Sequence, residues 1–275
     1  MNGEDDIAGH YAKGGLEQKV LGSLARAGLD LSRLTVADLG PVDEYHVGSL
    51  ESTRELAAQM ELRAGMKLLD VGCGIGGPAR YFASVHGCHV TGIDLTEEFV
   101  GLARQLTKML KLQEQVQFEQ GSALRLPFKD ASFDGAYLIH VGMNLADKPA
   151  VWRELRRVLK PGALFTIFDI LRSGTGAISF PVPWSLSEEG SFVEDAVAYR
   201  KALAEAGFQV ERERSRREFA IAFTEAVASR TAAEGLPPLG LHILMGEQTP
   251  LMLRNVLEMM KRGVLEPREI FARAT

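Results

Sequence analysis

The run Leu68-Leu69-Asp70-Val71-Gly72-Cys73-Gly74-Ile75-Gly76-Gly77, followed by Gly92-Ile93-Asp94-Leu95, leaves this chain few folds to adopt. Leu68 to Val71 reads as a strand buried in a parallel sheet. From Gly72 the backbone must turn sharply into a helix that Pro78 opens. Glycines in such a turn bring bare backbone against a ligand, because a Cβ there would collide with it. A second strand, Cys88 to Asp94, ends in a carboxylate suited to two ribose hydroxyls. A glycine turn with a distal acid is the nucleotide-binding arrangement of doubly wound α/β folds.

The rest of the chain fits that frame. Strands are expected at 67–72, 88–94, 115–120, 133–139 and 163–170, with helices at 78–86, 97–112 and 148–159 between them. Strict alternation implies a parallel sheet with right-handed crossovers and a ligand at the carboxyl ends of the strands. Before the core, Leu16, Val20, Leu21 and Leu24 recur at helical spacing and Gly28 supplies a stop. Gly40 to Ser49 reads as a loop and Ser52 to Met60 as a helix. Beyond Asp169, residues 173–190 are too rich in Gly and Pro for an element. Helices at 193–206, 219–235 and 250–262 follow, with strands at 208–216 and 269–273. The expected architecture is a Rossmann-like, seven-stranded, mostly parallel α/β sheet with helices on both faces. It carries a helical cap (1–60), a nucleotide-binding core (61–172), and a C-terminal helical insertion with closing strands (173–275).

Bulk composition excludes several classes. The formal net charge of −5 offers no basic field for nucleic acid. Arg212 to Arg217 is interleaved with Glu213 and flanked by Glu211 and Glu218, so it reads as a solvated edge. No apolar run is long enough for a transmembrane segment. The two cysteines, Cys73 and Cys88, lack metal spacing and fit a reducing compartment, and no secretory signal core is evident, so a cytoplasmic location is expected.

The glycine turn fits the dinucleotide pattern Gly-x-Gly-x-x-Gly formally, which keeps an NAD-type oxidoreductase open. An acid two residues before the first glycine sets it apart. Asp70-x-Gly72-x-Gly74-x-Gly76 resembles motif I of the class I S-adenosylmethionine-dependent methyltransferases. Gly121 to Phe128 and Glu154 to Gly162 resemble the ubiquinone/menaquinone-type and small-molecule branch. Tyr11 and Tyr45-His46-Val47-Gly48-Ser49 resemble the cap of sarcosine/dimethylglycine and sterol methyltransferases, although Ser49 stands where a second glycine is common.

The resemblance implies S-adenosyl-L-methionine as methyl donor, S-adenosyl-L-homocysteine as product, no metal, and a small-molecule acceptor whose N, C or O atom stays open. It also implies donor-binding roles for Asp70, Gly72, Gly74, Gly76, Asp94, Leu95, Ser122, Ala123 and His140. His46, His140 and Tyr11 are the candidate catalytic residues, a hydrogen-bonded structural role being the competing reading of both histidines. Asn144 and Trp184 are further candidates for the acceptor side. A catalytically silent nucleotide-binding module remains the third reading.

Overall fold

The computed structural model describes residues 3–12 and 14–275. Of the acidic N-terminal run, Met1 and Asn2 and the side chains of Asp5 and Asp6 lie outside that description.

Four helices precede the sheet: α1 (Gly3–Tyr11), α2 (Leu16–Arg26), α3 (Val36–Asp43) and α4 (Ser49–Ala57). The core then alternates β1 (Lys67–Val71), α5 (Gly77–His86), β2 (His89–Asp94), α6 (Glu97–Met109), β3 (Val116–Gln120), β4 (Phe133–Ile139), α7 (Lys148–Val158) and β5 (Leu159–Arg172). The remainder is α8 (Ala196–Glu205), β6 (Phe208–Ser215), α9 (Arg217–Glu234), α10 (His242–Met245), α11 (Thr249–Lys261) and β7 (Leu265–Ala274).

The strands form one seven-stranded sheet in the order β3-β2-β1-β4-β5-β7-β6. β1 to β5 run parallel, while β7 inserts antiparallel between β5 and β6. Strand order reverses between β1 and β4, so their carboxyl ends leave a crevice. One face is covered by Trp152 and Leu155 of α7 and Tyr199 of α8. The other is covered by Phe82 of α5 and by α4, packed against Tyr137 and Phe168. No helix among the described residues is long and apolar enough to cross a membrane.

The cap is fixed by its own apolar stripe. Leu16, Val20 and Leu24 of α2 and Leu39 and Val42 of α3 bury against Leu102 and Leu106 of α6. Helix α3 corrects the expected loop at Gly40 to Ser49. Thr35 and Asp38 form a capping box that starts it, and the chain continues helically through Gly40-Pro41 to Asp43. Its last turn lies close enough to α5 that a Cβ on Gly77 would sit 2.3 Å from the Asp43 carbonyl oxygen. Asp43 at its end, and Tyr45 and His46 just beyond, line the cavity over the glycine turn.

At the C-terminal end, Met245, Met252, Met259 and Met260 are buried, as their helical spacing suggests. Thr249 does not cap α11; its hydroxyl donates to Gly246 O, and the cap position is Gln248. Strand β7 is longer than its expected 269–273. Glu269, though fully buried, is held by Arg214 at 2.8 Å, and Arg216 lies 3.7 Å away.

Candidate active site

The glycine turn is tied to the second strand by its own backbone. Gly72 and Cys73 N–H both donate to Ile93 O, at 2.8 and 3.1 Å. Asp94 completes the link: one carboxylate oxygen accepts from Gly74 N–H at 2.9 Å, the other from Thr96 N–H at 2.9 Å. Each oxygen keeps a lone pair, and the carboxylate lines the cavity over the turn. Burial pushes its pKa up, while the two N–H groups favour the charged form.

The glycines act differently from one another. A Cβ on Gly74, which has a positive φ of 52°, would meet nothing within 4 Å and would project into open cavity. Gly72 also lines the cavity, but its missing side chain makes room for Val141, and that of Gly76 makes room for the Phe118 ring. Only Gly74, then, exposes bare backbone in the manner the sequence suggested for all three.

The cavity spans about 960 Å3 of free space counted out to, and including, its solvent mouth. Leu95, Gly121 and Ala123 line one end. Ser122 is turned aside: its hydroxyl donates to Glu4 of α1 and accepts from Leu124 N–H. The wall also carries acids, Glu4, Asp43 and Asp70 besides Asp94. Burial drives the Asp70 carboxyl up to about 8. Asp43 pairs with the fully buried Arg80 at 2.8 Å, and that guanidinium also donates to Ile75 O at 2.7 Å and Ala103 O at 3.3 Å. Asp43 Oδ1 and Glu44 Oε1 remain buried without a hydrogen-bond partner. The site is therefore richer in buried carboxyl groups than in cations. It favours a cationic ligand and opposes a diphosphate.

Four rings close the far side. Tyr11, Tyr45, His46 and His140 line both this cavity and a second chamber beyond it. Tyr11 donates to Asn144 Oδ1 at 3.1 Å, and Asn144 Nδ2 donates to Trp184 O at 3.0 Å, so the cap is joined to the 173–190 loop. His46 and His140 lie with ring centroids 5.9 Å apart. His46 Nε2 donates to Ser49 O at 3.1 Å, which leaves Nδ1 as the free lone pair of the neutral ring. Burial lowers the His46 pKa to about 4 and that of His140 well below its ordinary value, so both rings are neutral near pH 7. His140 sits at the β4 exit with a positive φ of 54°, a conformation that costs a non-glycine residue about 1–3 kcal/mol. Its N–H donates to Phe168 O at 2.7 Å, and its Nε2 is buried without a partner.

Asp43, Glu44 and Arg80 escaped the sequence reading. Arg80 falls among the apolar positions of α5, a spacing that signals a buried cation, but nothing in the sequence indicates its partner thirty-seven residues away.

The sheet order, the tied glycine turn and the Asp94 carboxylate in the cavity wall give residues 67–172 the fold of a Rossmann-like methyltransferase core. Residues 69–167 match the family model described as methyltransferase domain. Among similar proteins, the sterol 24-C-methyltransferase of Gibberella zeae is 41% identical over 116 residues, 42% of this chain and 30% of that one. Phosphoethanolamine N-methyltransferase 1 of Arabidopsis thaliana is 37% identical over 162 residues, 58% of this chain and 32% of that one. The chain spans about a third of the length of these two curated relatives. A solved geranyl diphosphate C-methyltransferase from Streptomyces coelicolor, in complex with Mg2+, geranyl diphosphate and S-adenosyl-L-homocysteine, shares the fold. Its TM-score is 0.73 at 15% identity, covering 100% of this chain and 98% of that one.

Proposed function

We propose that this protein transfers a methyl group from S-adenosyl-L-methionine to a small-molecule acceptor. The observation that carries the reading is the acid-rich cavity over the glycine turn, joined through four rings to a separate apolar chamber. The residues present fit the donor. Asp94 offers two carboxylate oxygens to the ribose hydroxyls, Gly74 gives open space beside bare backbone, and Leu95 and Ala123 flank a base. Asp70 and Asp43 in the wall would complement the positive charge of the donor's ammonium and sulfonium. A dinucleotide would instead set a pyrophosphate among these carboxyls, which disfavours the NAD-type alternative.

The donor supplies an electrophilic methyl on a positively charged sulfur. What remains for the chain is to align acceptor, methyl and sulfur and to exclude water, a contribution of about 7–11 kcal/mol where alignment is good. Tyr11, His46 and His140 occupy that position, between donor cavity and acceptor chamber. The neutral His46 Nδ1 offers a lone pair to an N–H or O–H of the acceptor. Two buried, unpaired cysteines support a cytoplasmic setting, which subcellular fractionation would test.

Incubating the protein with cell extract and donor labelled in its methyl group tests the function. A metabolite gaining the labelled methyl supports it. Saturable donor binding without transfer to any acceptor would favour a silent binding module.

A further inference from the structure

The second chamber encloses about 780 Å3 of free space, counted out to solvent, between the four rings, the Trp184 loop and helices α9 and α11. Among the described residues, no Lys, Arg, Asp or Glu lines it. The side-chain donor hydrogens of Thr224, Trp184, Tyr11 and Tyr45 on the wall are already engaged, while the hydroxyl oxygens keep acceptor lone pairs. The Thr224 hydroxyl donates to Ala220 O at 2.7 Å, Trp184 Nε1 to Ser191 Oγ at 2.9 Å, and the Tyr11 hydroxyl to Asn144. The Tyr45 hydroxyl reaches Pro183 O at 3.5 Å. Two ring nitrogens stand unengaged at the throat: the lone pair of His46 Nδ1 and the buried Nε2 of His140. Helix α9 presents Phe223, Thr224 and Val227 to the chamber at helical spacing, and these residues stay half-buried.

We infer that the acceptor is an uncharged, hydrocarbon-rich molecule bearing a single polar group, which docks against His46 and His140 while its apolar body fills the chamber under α9. A phosphate, diphosphate or carboxylate placed there would have no cation to meet, and a polyhydroxylated body would have no wall donors left. This rests on the methyltransferase reading and narrows it. It sets the chain apart from relatives named for phosphoethanolamine or geranyl diphosphate, whose acceptors are charged. The acceptor's nucleophile attacks the methyl carbon, the carbon–sulfur bond breaks with its electron pair going to sulfur, and any proton on the nucleophile, hydrogen-bonded to His46 Nδ1, is released to solvent.

Geraniol and geranyl diphosphate share one hydrocarbon body and differ in charge, which makes them suitable probes. Calorimetric titration of the full chain, saturated with S-adenosyl-L-homocysteine, should show geraniol binding about tenfold or more tighter than geranyl diphosphate or phosphoethanolamine. Val227→Asp should weaken geraniol by about tenfold or more, because it buries a carboxylate beside the ligand. Val85→Asp, at an exposed position of α5 that does not line the chamber, should leave geraniol affinity within about twofold. S-adenosyl-L-homocysteine affinity should be unchanged in both variants, which also reports that they fold. Tighter binding of either charged probe, or no binding of geraniol while S-adenosyl-L-homocysteine still binds, would overturn the inference. So would an unaffected Val227→Asp. Failure of wild-type protein to bind S-adenosyl-L-homocysteine would locate the error in the donor reading and remove this one with it.

Discussion

Replacing Asp94 with Ala is the sharpest perturbation of the donor site. Two effects follow, and they are separable. The first is local: Gly74 N–H and Thr96 N–H, each bonded to the carboxylate at 2.9 Å, lose their acceptor. Leaving two such donors unsatisfied costs about 2–6 kcal/mol, less where water reaches them through the cavity mouth. The second is in binding. Two ribose hydroxyls donating to a carboxylate contribute about 1.5–3 kcal/mol each, so the donor should bind about 3–6 kcal/mol more weakly. That is a loss of roughly 10²- to 10⁴-fold in Kd. Calorimetry with S-adenosyl-L-homocysteine reads the second effect and thermal unfolding the first. An adenosyl analogue lacking the 2′-hydroxyl closes the argument: wild-type protein should discriminate against it, and the Ala variant should not. A folded Asp94→Ala protein that binds S-adenosyl-L-homocysteine within about threefold of wild type would refute the reasoning.

Two glycines with unlike surroundings give a paired prediction. Gly74→Ala meets open space and should lower stability by only about 1 kcal/mol through its positive φ, yet reduce donor affinity strongly. Gly77→Ala drives a Cβ to 2.3 Å from Asp43 O and should show the larger loss in thermal unfolding. Arg80→Ala should destabilise the protein by about 3–5 kcal/mol in denaturant titration, since Asp43 would be left buried without its partner. A carboxyl raised to about 8, as Asp70 is, keeps its proton in the folded state after the unfolded chain has released it. Asp70 should therefore cost the ligand-free protein about 1–2 kcal/mol of stability as pH rises from 6.5 to 8, and Asp70→Asn should reduce that slope, burial having raised Glu44 in the same direction. His46 and His140, lowered by burial, act in the opposite sense but only below about pH 6.5. Over the same rise in pH, S-adenosyl-L-homocysteine should bind more tightly, because the ionised Asp70 is the form that meets an ammonium.

Much of this was legible in the sequence because the core is built from local signals. Alternating strands, Pro78 at a helix start and Asp94 at a strand end each declare themselves within a few residues. The glycine turn was equally plain, but its division of labour was not. Whether Gly76 faces a ligand or the Phe118 ring depends on a strand forty residues away. Helix α3 was hidden by Gly40-Pro41, a pair that resembles a loop signal yet sits inside a helix started by its capping box. Likewise β7 was read short because Glu266-Pro267-Arg268 looks like surface, whereas pairing with β5 and β6 buries it. The acceptor chamber was the least legible part. Its wall joins Tyr11, Trp184, Phe223 and Val256, which only the folded chain brings together.

Direct calorimetric titration of the wild-type chain, with S-adenosyl-L-homocysteine in one series and NADH in another, tests the central claim most simply. One S-adenosyl-L-homocysteine should bind per chain at a Kd of roughly micromolar order, with no heat from NADH. Saturable NADH binding with none from S-adenosyl-L-homocysteine would contradict it.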